Sequence, residues 1–238
     1  MLRCTRAWRA ELVLLLALGL GLAREAGGIE RAQTAAGVVE RTNAFRKEQG
    51  LDGLKEDAAL SRAAQRFAGL MAQTGRYGHA ADNRRPPERA AAQGYEYCIV
   101  SENIAYQYRS QGFDSAGALA RELVEGWKRS PGLRKNMLDP AVTETGVGIA
   151  QGEAGRWLAV QMFGRPKSAS MRFSVRNRSA APVEYRVGER RYSLAPRITR
   201  THAICRPAEV SIGDRFSAKP ADGVRYTVTR SGVVTGRR

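Results

Sequence analysis

The hydrophobic period of this chain changes at Arg165-Pro166-Lys167-Ser168, and no single regular element spans both patterns. Before that point, apolar residues recur mostly at helical spacing. Beyond it they alternate, one in and one out. A helical period does not sit as a strand, nor the reverse, so the chain must build two units. Its 238 residues suffice for one domain of ordinary size and a small second one.

The first unit reads as helices interleaved with short strands. Val38, Val39, Thr42 and Phe45 share a helical face, with Gly50 just past its end. A second helix is predicted from about Asp57 to Thr74, with Leu60, Ala64, Phe67 and Met71 on one side. Asp57 caps it and Gly75 ends it. Pro86-Pro87 opens a short helix that closes by Gly94. Leu119, Leu123 and Trp127 line a helix from Ser115 to Arg129, and Pro131-Gly132 reads as a turn. Cys98-Ile99-Val100 is a short strand. Gly146 to Ala150 and Trp157 to Phe163 pair as a hairpin. The expected class is α+β: a three-layer α-β-α sandwich followed by a small all-β module.

That module shows period-2 runs at Met171/Phe173/Val175, Val183/Tyr185/Val187 and Val224/Tyr226/Val228. Arginines fill alternate positions, among them Arg172, Arg176, Arg186 and Arg225. One face should be buried and one basic. Residues 168–238 hold 15 Lys+Arg against 5 Asp+Glu, which is +10 of the chain's +16. That density exceeds what solubility asks for.

The N-terminus reads as a secretory signal over 1–23. Arg3, Arg6 and Arg9 precede an apolar run from Leu12 to Leu22, and Gly21-Leu22-Ala23 suits cleavage. The run is short for a membrane span. A polar lead-in over 24–33 follows, then the sandwich over 34–166 and the basic module over 167–238. The expected location is secreted or periplasmic. Cys4 leaves with the signal, so Cys98 and Cys205 remain. An oxidising compartment favours one disulfide between them, and two separately buried thiols are the alternative.

Three segments carry a family resemblance. They are Gly78-His79, Ser101-Glu102-Asn103-Ile104-Ala105, and Ser130-Pro131-Gly132-Leu133-Arg134-Lys135-Asn136-Met137-Leu138. With Thr42-Asn43-Ala44-Phe45-Arg46, Leu60 to Gln65, Glu88-Arg89-Ala90 and Thr143 to Gly148 they stand in family order. The region from about 38 to 164 resembles the CAP superfamily of cysteine-rich secretory, antigen 5 and pathogenesis-related proteins, in its bacterial SCP-domain form. The resemblance implies the same three-layer fold. It also implies a cleft lined by two histidines and two acids. His79 and Glu102 take two of those places, and Glu88 matches that of the second acid. Leu133 stands where the family's second histidine belongs.

Imidazole is the neutral nitrogen donor that zinc sites rely on, and leucine offers no lone pair. No metal or other cofactor is therefore expected. A hydrolase would need His79 as base, Glu102 to orient it, and a nucleophile or water in reach. Ser101 and Ser130 are near in motif order only, and no G-x-S-x-G occurs. The competing reading is that His79 and Glu102 merely tie two loops together. Family members are linked to sterol and lipid binding and to peptidase-like activity. The expected function is non-catalytic binding at or outside the cell envelope. An anionic membrane, glycolipid or acidic glycan is the expected partner of the basic face, with a small lipid or peptide as a candidate cleft ligand. A peptidase-like hydrolase and a structural adhesin are the alternatives. Nucleic acid suits the charge, but export argues against it.

Overall fold

The computed structural model describes residues 31–110, 112–214 and 216–237. The segment expected to be a secretory signal, Cys4 included, lies outside the described residues. Helix α1 covers 31–48, so residues 31–33 of the expected lead-in are already helical. Strand β1 (Lys55–Glu56) leads into α2 (Ala58–Thr74), whose Asp57 cap accepts from Leu60 N and whose end is the left-handed Gly75. Helix α3 (Pro86–Ala91) precedes β2 (Tyr97–Gln107). Helices α4 (Ala116–Arg129) and α5 (Pro131–Met137) follow, then β3 (Glu144–Gln151) and β4 (Trp157–Pro166).

The four strands form one sheet in the order β1-β3-β4-β2. Alternation along β4 divides the core. Trp157, Ala159 and Phe163 face α1, α4 and α5, together with Leu123, Trp127 and Met137. Leu158, Val160 and Met162 face α2 and α3, together with Leu60, Phe67 and Met71. This is the three-layer α-β-α sandwich. The layers approach closely because β3 offers glycines to α2. A Cβ on Gly146 or Gly148 would collide with the α2 backbone at Ser61 or at Ala64 and Gln65.

Several polar residues of α1 and α2 are backbone staples. Asn43 brackets Leu54, donating to its carbonyl at 3.0 Å and accepting from its N–H at 2.8 Å. Gln65 does the same for Ile149. Buried Arg46 donates to the carbonyls of Asp52, Met137 and Asp139. Each satisfies loop or sheet-edge groups that burial would otherwise orphan.

Two segments differ from their sequence reading. Strand β2 runs far beyond Cys98-Ile99-Val100, because Glu102 and Asn103 are buried polar residues whose partners lie elsewhere in the fold. Pro131-Gly132 is not a free turn but the first turn of α5, where proline's missing N–H costs nothing.

The C-terminal module is a β-sandwich. Strands β5 (Met171–Asn177), β6 (Val183–Val187), β7 (Arg190–Leu194), β8 (Thr199–Ile204), β9 (Val210–Ile212), β10 (Phe216–Ala218), β11 (Val224–Thr229) and β12 (Gly232–Arg237) form two sheets. Their orders are β10-β9-β6-β7 and β12-β11-β5-β8. Phe173, Val175, Tyr185, Val187, Leu194, Val210, Ile212, Tyr226 and Val228 fill the space between. His202 is also buried there. It stacks on Phe173, and its Nε2 lies 2.7 Å from the Tyr185 hydroxyl.

The two units are joined covalently. Cys98 at the start of β2 is disulfide-bonded to Cys205 just after β8, with Cα atoms 5.4 Å apart. Arg206, the next residue, forks onto both Asp139 oxygens at 2.8 and 2.7 Å. Burial opposes charge on Asp139. The Arg206 fork, the Ala141 N–H and the Arg206 and Arg46 charges outweigh it and hold the carboxyl below its usual range.

Candidate functional site

The site is built where the loop after α2 meets the edge strand β2. Gly78 at φ +138° turns that loop in a region closed to most side chains, and His79 follows it. His79 Nδ1 lies 2.8 Å from Glu102 Oε1, and the two pair as expected from their motifs. Their environments are opposite. The Glu102 side chain is fully enclosed, whereas the His79 side chain is 51% exposed.

A buried carboxylate needs a buried cation. Arg89 supplies it from α3. Its Nη2 lies 2.8 and 3.0 Å from the two Glu102 oxygens, and its Nε 3.2 Å from Oε2. The same guanidinium donates to Asp82 Oδ1, to the Arg84 carbonyl and to the His79 carbonyl. It also lies on the Phe67 ring, 3.7 Å from the centroid. One side chain thus neutralises Glu102, pins the 79–84 loop and covers the α2 core. Motif matching points to Glu88 and misses Arg89 beside it. The signal for Arg89 is physical: an acid on an apolar strand requires a cationic partner nearby.

Glu88 does not join this cluster. It sits at the third position of α3, and its carboxylate accepts from the Arg85 N–H at 2.8 Å and from the Arg85 guanidinium. The Arg85 backbone and side-chain hydrogen bonds hold the Glu88 carboxyl below its usual range. It is a capping-box acid at the surface.

Leu133 approaches from the other face of β2. It packs against the apolar core of α1, α4 and α5, and its carbonyl accepts from Asn103 Nδ2 at 3.0 Å. Asn136 donates to the Glu102 carbonyl and to Asn103 Oδ1, and Trp127 Nε1 donates to the Ile104 carbonyl. Side chains of α4 and α5 therefore close the open edge of β2, a common means of blunting an edge strand. Ser101 shares the Asn103 face by alternation, away from His79. Ser130 forms no side-chain cap bond. Among the described residues no hydroxyl or thiol hydrogen-bonds the His79 ring, and no group of three or more His, Cys, Asp or Glu side chains is placed to hold a metal ion.

With this geometry in hand, comparison with known proteins is decisive for the family. The model of the cysteine-rich secretory protein family, CAP, matches residues 39–163. The chain belongs to the CAP family. YkwD of Bacillus subtilis, described as uncharacterized, is 33% identical over 129 residues, which are 54% of this chain and 46% of YkwD. The matched part of this CAP chain thus spans less than half the length of that relative. An extracellular SCP-domain protein of Bacillus anthracis aligns with TM-score 0.48 and 23% identity, over 57% of this chain and 41% of that one. An outer surface protein of Borrelia burgdorferi aligns with TM-score 0.46 and 18% identity, over 54% of this chain and 90% of its own.

The arginines of the basic module fall into two groups. In β5, Arg172 and Arg176 flank Ser174. Parallel pairing with β11 sets Arg225 beside Ser174, so these three arginines share the outward face of one sheet. Arg186 is separate from them. It lies on β6 in the other sheet, paired across to Arg191 and with Glu184 two residues away. Of the four arginines expected to meet an anionic surface, Arg186 thus lies on the opposite side of the sandwich from the other three. Strand order, which alternation does not encode, decides which arginines meet.

Proposed function

We propose that this CAP protein is exported and binds an anionic surface at the cell envelope through the outward face of β5 and β11, without catalysing a reaction. The carrying observation is the charge pattern of that sheet. Its outward face presents Arg172, Arg176 and Arg225, while Arg200 and Arg237 pair with inward-turned Val175 and Val224, and its four strands contain not one acidic residue. Opposing charges normally intersperse on a solvated surface, so a sheet of one sign favours an anionic partner. Export rests on the N-terminal signal pattern. The disulfide fits an oxidising compartment.

The CAP site supports a holding role in this reading. Arg89 occupies both Glu102 oxygens, so Glu102 orients His79 and closes a loop. One observation favours the hydrolase alternative. A His79 that donates through Nδ1 to Glu102 leaves Nε2 as a base at an exposed position, the arrangement general-base catalysis uses. Among the described residues no hydroxyl or thiol hydrogen-bonds that ring.

The test is sedimentation of the full mature chain with anionic and with neutral vesicles at low and high salt. Binding should require anionic lipid and fade with salt, since exposed charges are screened within about 8 Å at physiological ionic strength. Equal binding to both vesicle types would overturn the reading.

A further inference from the structure

The basic sheet also contains an unmet polar pair. Among the described residues, the buried side-chain atoms without a hydrogen-bond partner are Ser101 Oγ, Ser174 Oγ and Arg225 Nε. The last two belong to register partners, because β11 runs parallel to β5 with Arg225 opposite Ser174. Both strands turn Phe173, Val175, Tyr226 and Val228 inward to the apolar core, so Ser174 and Arg225 face outward together. Ser174 is nonetheless fully buried there, beneath a surface whose neighbours along the strand are Arg172 and Arg176. A buried donor left without an acceptor is costly, so each such group calls for a partner such as an ordered water, an ion or a ligand.

We infer that Ser174 and Arg225 form a subsite for a single phosphate group. The inference rests on the anionic-surface reading and narrows it to one chemistry. A guanidinium offers parallel N–H donors that match two oxygens of a tetrahedral oxyanion, and a serine hydroxyl donates to a third. Arg172 and Arg176, on either side of Ser174, supply the remaining positive charge. Arg172 is exposed and Arg176 half-buried. Asp222, just before β11, accepts from the Arg172 N–H at 2.7 Å. Arg186 has no such counterpart. It faces Arg191 on the other sheet with Glu184 nearby, and no unmet hydroxyl lies in its register.

The experiment compares three substitutions that leave net charge unchanged with a control, R172Q/R176Q, that removes two positive charges. Wild-type protein, S174A, R225K and R186K are titrated with vesicles containing phosphatidic acid, and with vesicles of matched surface charge containing fatty-acid carboxylate. S174A and R225K should each weaken binding to the phosphate vesicles about tenfold, the loss of one charge-assisted hydrogen bond. Both should bind carboxylate vesicles as wild type does, and R186K should match wild type on both. Inorganic phosphate should compete and acetate should not. Protein that binds inorganic phosphate but ignores the vesicles assigns the subsite to a free phosphate instead of a headgroup. S174A should also melt no lower than wild type, because it deletes a group with no folded partner. If S174A and R225K bind like wild type while R172Q/R176Q weakens, the face is an unspecific charged layer and the subsite does not exist. If wild type binds anionic and neutral vesicles alike, the anionic-surface reading fails instead.

Discussion

Arg89 grips both carboxylate oxygens of Glu102 from below while His79 holds one of them from the solvent side. The acid at the centre of the CAP motif is therefore held on both oxygens, by a buried cation on one side and an exposed imidazole on the other.

Removing that grip should be strongly destabilising. Arg89→Met would leave Glu102 buried without its cation, a change that typically costs about 3 to 5 kcal/mol. Urea unfolding of Arg89→Met against wild type measures it. The double variant Arg89→Met/Glu102→Gln should recover much of the loss, because a neutral amide tolerates burial better than a lone carboxylate.

Gly148→Ala should be among the most destabilising single-methyl additions in the chain. The new Cβ would strike the α2 backbone at Ala64 and Gln65, which are held by a whole helix and have no side-chain freedom to yield. Overpacking of this kind costs about 1 to 3 kcal/mol or more, and rigid backbone places it at the upper end. Gly132→Ala, with nothing near its Cβ, serves as the control and should melt like wild type.

The β module should lose stability in mild acid. Burial first, and then the nearby Arg200 charge, hold the His202 imidazole below its usual pKa. Tyr185 and Tyr192 crowd its other sides. The folded state thus resists a proton that the unfolded chain accepts at about pH 6.5. Stability is complete above that value and falls as pH drops toward the lower folded pKa. Thermal melts across this range should show the decline. His202→Phe, which keeps an aromatic ring in the stack, should flatten it.

The Cys98–Cys205 bridge spans a sequence separation of 107 residues. In the chain-entropy model such a loop is worth about 4 to 5 kcal/mol, and often less in practice. Mild reduction should lower the melting temperature and uncouple the two units. Denatured, unreduced mature protein should show no free thiol by titration. Two reactive thiols there would rule out the bridge in solution.

Much of this is legible in the residues. Leu60, Phe67 and Met71 announce the buried side of α2, and Leu119, Leu123 and Trp127 that of α4. Asp57 and Gly75 mark the ends of α2. The His79–Glu102 pair follows from family motifs. Strand β2 is longer than its apolar run because Glu102 and Asn103 break the alternation while still being buried, each satisfied by partners distant in sequence. Glu88 and Arg89 are adjacent, so choosing between them requires knowing which side of α3 faces Phe67. The separation of Arg186 from Arg172, Arg176 and Arg225 depends on strand order alone.

The central claim is that one face of the module, and not net charge, carries binding. The most direct measurement compares two double variants that each remove two positive charges. One is Arg172→Gln/Arg176→Gln, on the face that also bears Arg225; the other is Arg186→Gln/Arg191→Gln, on the opposite sheet. Both are sedimented with anionic vesicles at low salt. The account predicts that the first loses most of its binding and the second keeps it. Equal losses in the two variants would contradict it.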